Sequence, residues 1–153
     1  MQTILTQVTE FHQRFNSPIL DLPQIPSADR CKLRVSLIAE ELKELQEAID
    51  DNDIVAVADA LADIQYVLAG AVLEFGLGNK FSDLFNEVHR SNMSKACSSY
   101  QEAEETVKYY AEKDGTEAKI VQDGDTYLVY RIADNKILKS VNYSPADLKS
   151  ILA

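Results

Sequence analysis

Cysteine is scarce in this 153-residue sequence, and positive charge is outnumbered by negative. Its two cysteines, Cys31 and Cys97, stand far apart with no CxxC or Cys/His spacing. That excludes a disulfide framework and a sequence-local zinc site, and fits a reducing cytoplasm. Lysine and arginine total 15 against 25 aspartates and glutamates, a formal net charge of −10. A polyanionic backbone or an anionic bilayer would be repelled on average, so neither a nucleic acid polymer nor a membrane is expected as a partner. A divalent cation, and through it a phosphorylated ligand, is compatible with this charge. No internal repeat or low-complexity tract is present. The opening residues MQTILTQVTEFHQRF lack the basic start and apolar run of a secretory leader, so the chain is expected in the cytoplasm. What remains is an ordinary globular composition, 46% hydrophobic and 26% charged, sufficient for a buried core.

The apolar periodicity predicts helices over 3–16, 28–50, 53–75, 80–92 and 99–113. Three prolines in SPILDLPQIPS keep the first connector irregular, and Ser27 is the expected N-cap of the second helix. DDND at 50–53 leaves so short a link that helices 28–50 and 53–75 must be antiparallel neighbours. Beyond residue 114 the pattern alternates, with DGD and ADN turns, and predicts two or three antiparallel strands. SPADLKSIL then offers Ser144 as N-cap and Pro145 at the first position of a short terminal helix. The expected fold is mainly α: an antiparallel helical bundle over 1–96. The remainder, 97–153, is a small α+β appendage with a β-hairpin or three-stranded meander.

The helix 53–75 raises a chemical question. From Ile54 to Leu73 it is long and apolar enough to span a bilayer, yet it carries Asp59 and Asp63. Each aspartate would cost roughly 2.5–3.5 kcal/mol at a bilayer centre, so a buried helix of a soluble protein is the expectation. On a helical wheel of 28–50, Ile38, Leu42, Leu45 and Ile49 form an apolar stripe, with Leu33, Leu37 and Ala48 beside it. Glu40, Glu41 and Glu44 fall among these residues and edge the expected buried face. Glu40/Glu44 and Asp59/Asp63 are like-charge pairs at i,i+4. Burial without counter-charge would be costly, and helix 53–75 contains no lysine or arginine. Magnesium or manganese, which prefer hard oxygen ligands, would supply that charge. A solvated acidic face is the competing explanation for AEELKELQEA alone; it suits the aspartates poorly, because their helix has almost no polar face.

An E-E-x-x-E helix, a short turn and an acidic pair on an apolar helix resemble the all-α nucleoside triphosphate pyrophosphohydrolases. That superfamily comprises MazG-type enzymes, dimeric dUTPases and phosphoribosyl-ATP pyrophosphohydrolase. IAEELKELQEA, ADALADIQYVLAG and EVHRSNMSK carry the likeness, over roughly residues 1–96. One departure stands out: the second motif is commonly E-x-x-D, and with Asp63 as its aspartate the glutamate position is Ala60. The resemblance implies magnesium on Glu40, Glu44 and Asp63, with Asp59 as a fourth ligand. Glu41 would be a ligand or the group that orients and deprotonates the attacking water. Arg90, Asn92 and Lys95 would contact phosphate oxygens, and His12, Asn16 and Tyr66 the base. It also implies a nucleotide substrate split between the α and β phosphates, and a homodimer or higher oligomer. Phosphoribosyl-ATP hydrolysis is the alternative reaction, and a non-catalytic helical interaction protein the alternative class. Read as ordinary residues, Phe15 would be core and His12 surface.

Overall fold

The structure, a computed structural model, describes residues 2–153. It is mainly helical, with one small sheet near its C-terminal end. The residues to Ser82 form one compact unit, and Asp83–Ile151 form the other. The sequence reading places the accessory boundary after residue 96. By packing, the division falls in the first turn of the fourth helix.

In the first unit, α1 (Gln2–Arg14), α2 (Ala28–Asp50) and α3 (Ile54–Glu74) pack side by side. Val8 of α1 closes on Ala69 and Leu73 of α3, with Ile4, Leu5 and Ile19 around them. Helix α1 ends where Asn16 takes φ +53 and the Ser17 N–H donates to the His12 carbonyl, a left-handed cap that asparagine tolerates well. The proline-bearing connector then runs back along the end of α3. Leu20 and Gln24 N–H groups donate to the carbonyls of Leu73, which also accepts from the Gly76 N–H, and of Phe75, at a helix end short of intrahelical donors. Gly76 makes that crossing possible: at φ +69, a Cβ there would fall 1.9 Å from the Leu22 carbonyl oxygen. Asp51–Asp53 alone join α2 to α3, and the Asp53 carboxylate accepts from the Val55 and Ala56 N–H groups as an N-cap. Ser27 precedes α2 without a side-chain capping bond.

Helix α3 is long and apolar enough to cross a membrane by length and composition. It is less buried than the sequence predicts. Ala60, Ala69, Gly70 and Val72–Glu74 are buried, while Ile54, Val55, Leu61 and Leu68 are exposed in the single chain.

In the second unit, α4 (Phe81–Met93, from Asp83) precedes α5 (Tyr100–Asp114), the strands β1 (Ala118–Asp123) and β2 (Thr126–Arg131), and α6 (Leu148–Leu152). The strands form an antiparallel hairpin from Ala118↔Arg131 to Asp123↔Thr126, turning at Gly124 with φ +57. Isolated bridges Cys97↔Tyr127 and Tyr130↔Ile137 flank it, so the third strand shrinks to one residue pair. Cys97, Ala103, Val129 and Leu138 form the core under α5. The terminal helix starts later than the sequence suggests. The Ser144 hydroxyl accepts from Arg90, and Asp147 caps α6 through the Ser150 N–H.

Candidate active site

Arg34, Glu41 and Ala48 recur every seven residues on one face of α2, as Ala60, Val67 and Glu74 do on α3. A hydrogen bond from Arg34 to Glu74 sets the register of this antiparallel pair. Seven-residue steps then place Glu41 opposite Val67, and Ala48 opposite Ala60. Glu41 thus occupies a packing position. It is half-buried, and its Oε2 is shielded from solvent without a hydrogen-bond partner.

Burial first, then the negative charges of Glu44, Asp63, Glu40 and Asp59, push the Glu41 carboxyl above its ordinary range. Those four are the other residues of the expected ligand set, and all act on Glu41. They are themselves exposed, which corrects the expectation that the glutamates edge a buried face and the aspartates lie inside one. The stripe expected to be buried is also displaced: Leu42 is 59% and Ile49 54% exposed. The face that packs runs instead through Arg34, Leu37, Glu41, Leu45 and Ala48. A wheel with apolar residues on most sides cannot tell which arc meets a neighbour, and an arginine does not announce itself as a packing residue.

Among the described residues, no three His, Cys, Asp or Glu side chains converge closely enough to hold an ion. Exposed like charges are relieved by spreading into water. The orphaned Glu41 oxygen in an all-acidic field is nonetheless the environment a hard divalent cation satisfies. The donor set, carboxylate oxygens only, fits magnesium or manganese.

Two turns along α2, the opposite solution is found. Glu74, 1% exposed, accepts from Arg30 Nε and Nη2 and from Arg34 Nη2. Burial raises the Glu74 carboxyl, but the hydrogen bonds and charges of Arg30 and Arg34 together outweigh it and leave it lowered. His12 completes the group: its Nδ1–H donates to the Pro18 carbonyl at 2.9 Å, so Nε2 is the acceptor facing Arg34 Nη2 at 3.4 Å. His12, Arg30 and Arg34, with Phe11, Leu37 and Tyr66, line a cavity of about 310 Å³.

Two expected base-contact residues, His12 and Tyr66, therefore meet at this cavity. Asn16 is exposed at the α1 cap. The ordinary-residue reading of the first helix is reversed, with His12 2% exposed and Phe15 63%. Sequence reasoning missed Arg30, Arg34, Glu74, Phe11 and Gly70. A signal existed: Glu74 ends an apolar helix with no basic residue, and Arg34 interrupts the apolar arc of α2.

Arg90, Asn92 and Lys95 belong to the second unit. Arg90 donates from Nε and Nη2 to Glu87, from Nη1 to Ser144 Oγ, and from Nη2 to the Pro145 carbonyl. With the Asp147 N–H also donating to it, Glu87 is held down at about 2, the Arg90 hydrogen bond being the largest cause. Arg90 is thus a strap between α4 and the segment before α6. Lys95 Nζ donates to Asn92 Oδ1 at 2.8 Å, a pair that presents an ammonium and an amide at the end of α4.

The phosphoribosyl-ATP pyrophosphohydrolase family model matches residues 8–92. This span holds all five carboxylates and the whole Arg30/Arg34/Glu74 group. An uncharacterized protein of Acanthamoeba polyphaga mimivirus is 25% identical in an alignment that covers 95% of this chain and 94% of that protein.

Proposed function

The chain belongs to the phosphoribosyl-ATP pyrophosphohydrolase family, and from that premise we propose a magnesium-dependent enzyme that splits the α–β anhydride of a nucleoside triphosphate. Membership carries pyrophosphohydrolase chemistry on a nucleotide-like substrate. The finer reading rests on one observation: Glu41 is held half-buried, unpartnered and in the combined field of Glu40, Glu44, Asp59 and Asp63.

A bound magnesium ion would offset the charge of the triphosphate and acidify the attacking water. Glu40, Glu44, Asp59 and Asp63 would hold it. Glu41, with its raised affinity for a proton, orients the water and receives that proton at a carboxylate oxygen. Attack on the α-phosphorus releases pyrophosphate and leaves a nucleoside monophosphate. A second copy of the chain is proposed to cover the exposed apolar residues of α2 and α3, which sedimentation would register as a dimer or larger.

Pyrophosphate release from a panel of nucleoside triphosphates and phosphoribosyl-ATP, with magnesium or manganese, tests the reading. Glu41→Gln should lower the rate by about 10²–10⁴-fold. No release from any substrate, or release indifferent to Glu41→Gln, would end the proposal.

A further inference from the structure

The cavity beside Glu74 has an unbalanced hydrogen-bond inventory. Arg30 and Arg34 share a single carboxylate, so one positive charge is left over. Both Glu74 oxygens are engaged, His12 Nδ1–H is spent on Pro18, and His12 Nε2 faces Arg34. Among the described residues Arg34 hydrogen-bonds only through Nη2, so Nη1, beside Gly70 on a side chain itself 9% exposed, is left without an acceptor, as is the buried Nε. Acceptors here are taken and a donor is spare.

The walls narrow the ligand. Phe11 and Tyr66 stand edge to face at 5.6 Å, and Leu33, Leu37 and Val67 complete a largely apolar lining. Such walls suit a flat ring, whereas a phosphate would lose its hydration against them. A volume of about 310 Å³ is at the small end for ligand pockets. Its position agrees: Arg34 precedes Glu41 by two helical turns, about 10 Å along α2, and Tyr66 follows Asp63 by one. A base in the cavity would direct its sugar and first phosphate toward the carboxylates. Gly70 keeps the arginine seated, since a Cβ there would fall 2.7 Å from Arg34 Nη1 and 3.1 Å from His12 Nε2.

We propose that this cavity is a nucleobase subsite that selects oxo bases over amino bases through Arg34. The proposal rests on the nucleotide reading given above. Guanine, hypoxanthine, uracil and thymine can turn a carbonyl oxygen toward the spare donor. With the sugar directed at the carboxylates, the edge that reaches Arg34 is the one far from the glycosidic bond, and there adenine at C6 and cytosine at C4 would bring an exocyclic amino group, another donor, against a cation with no free acceptor.

The test uses the full chain without metal, titrated with IMP, UMP, AMP and CMP and followed by NMR at the Gly70 amide and Arg34 Nε–H. The phosphate contribution is common to all four and cancels in the ratios. IMP should bind at least roughly tenfold tighter than AMP, and UMP than CMP. Arg34→Gln should bring both ratios toward one; Gly70→Ala does the same by unseating the guanidinium if Arg34→Gln fails to fold. Equal or reversed preference, no binding, or the same Arg34 shift with inorganic phosphate alone overturns the subsite. Hydrolysis of the triphosphates is measured separately. Base preference without hydrolysis would sink the proposed activity and leave the subsite standing. Hydrolysis of amino and oxo triphosphates with equal kcat/KM would do the reverse.

Discussion

Glu41 and Glu74 lie in the same helix–helix seam and have opposite circumstances. Glu74 is buried, receives two arginines and has its proton affinity lowered. Glu41 is half-buried, receives no hydrogen bond at Oε2, and has its proton affinity raised by burial and by four more carboxylates. Where the seam needed a buried carboxylate for its own cohesion, the sequence supplied counter-charges on the facing helix. Around Glu41 it supplied further negative charge. The difference separates a carboxylate that holds the fold together from one that the fold leaves without a counter-charge.

The largest expected effect comes from breaking the satisfied site. Glu74→Ala leaves two arginines without their counter-charge and should cost about 3–5 kcal/mol of stability, measured by denaturant unfolding. A loss comparable to that of a surface substitution would mean that Arg30 and Arg34 find other partners. Magnesium should act on the unsatisfied site instead. At a hundredfold excess over Kd it should add about 2.7 kcal/mol, raising Tm, and Asp63→Asn should abolish most of that rise. An unchanged metal response in Asp63→Asn would remove the carboxylates as ligands.

Smaller still is the contrast in chelator. Glu41→Gln removes an unpartnered charge from an acidic field, so the metal-free variant should melt slightly higher than the parent; a lower Tm would make Glu41 structural. The smallest effect is a pH dependence outside the seam. Glu87 lies near 2 when folded against 4.5 ordinarily. Its contribution is therefore complete above about 4.5 and is lost as pH falls from there through about 2. Glu87→Gln should flatten the acid limb of stability in that window, and an unaltered limb would show that the Arg90 strap contributes nothing measurable.

The helix ends and the antiparallel pairing of α2 with α3 were legible, because caps and turns are local signals: Asp53 caps α3 as the DDND spacing suggests. The acidic set was legible too, since like charges at helical spacing on apolar helices are conspicuous in one dimension. The Arg34–Glu74 pairing was not, because its partners are forty residues apart and each alone looks like an ordinary helical charge. His12 and Phe15 exchanged their expected environments because an imidazole enters the interior only when partners arrive from elsewhere, here Pro18 and Arg34. Ser144 failed as a cap for a similar reason: Arg90 claims its hydroxyl from another helix.

The tight Asp51–Asp53 connection also bears on the order of assembly. The five carboxylates come from one αα-hairpin, so little loop entropy separates them in the unfolded chain, and contacts of such short range tend to form early. Their mutual repulsion therefore opposes an early folding step. A divalent cation present during refolding should then accelerate folding as well as slow unfolding, a kinetic signature visible in stopped-flow traces with and without magnesium.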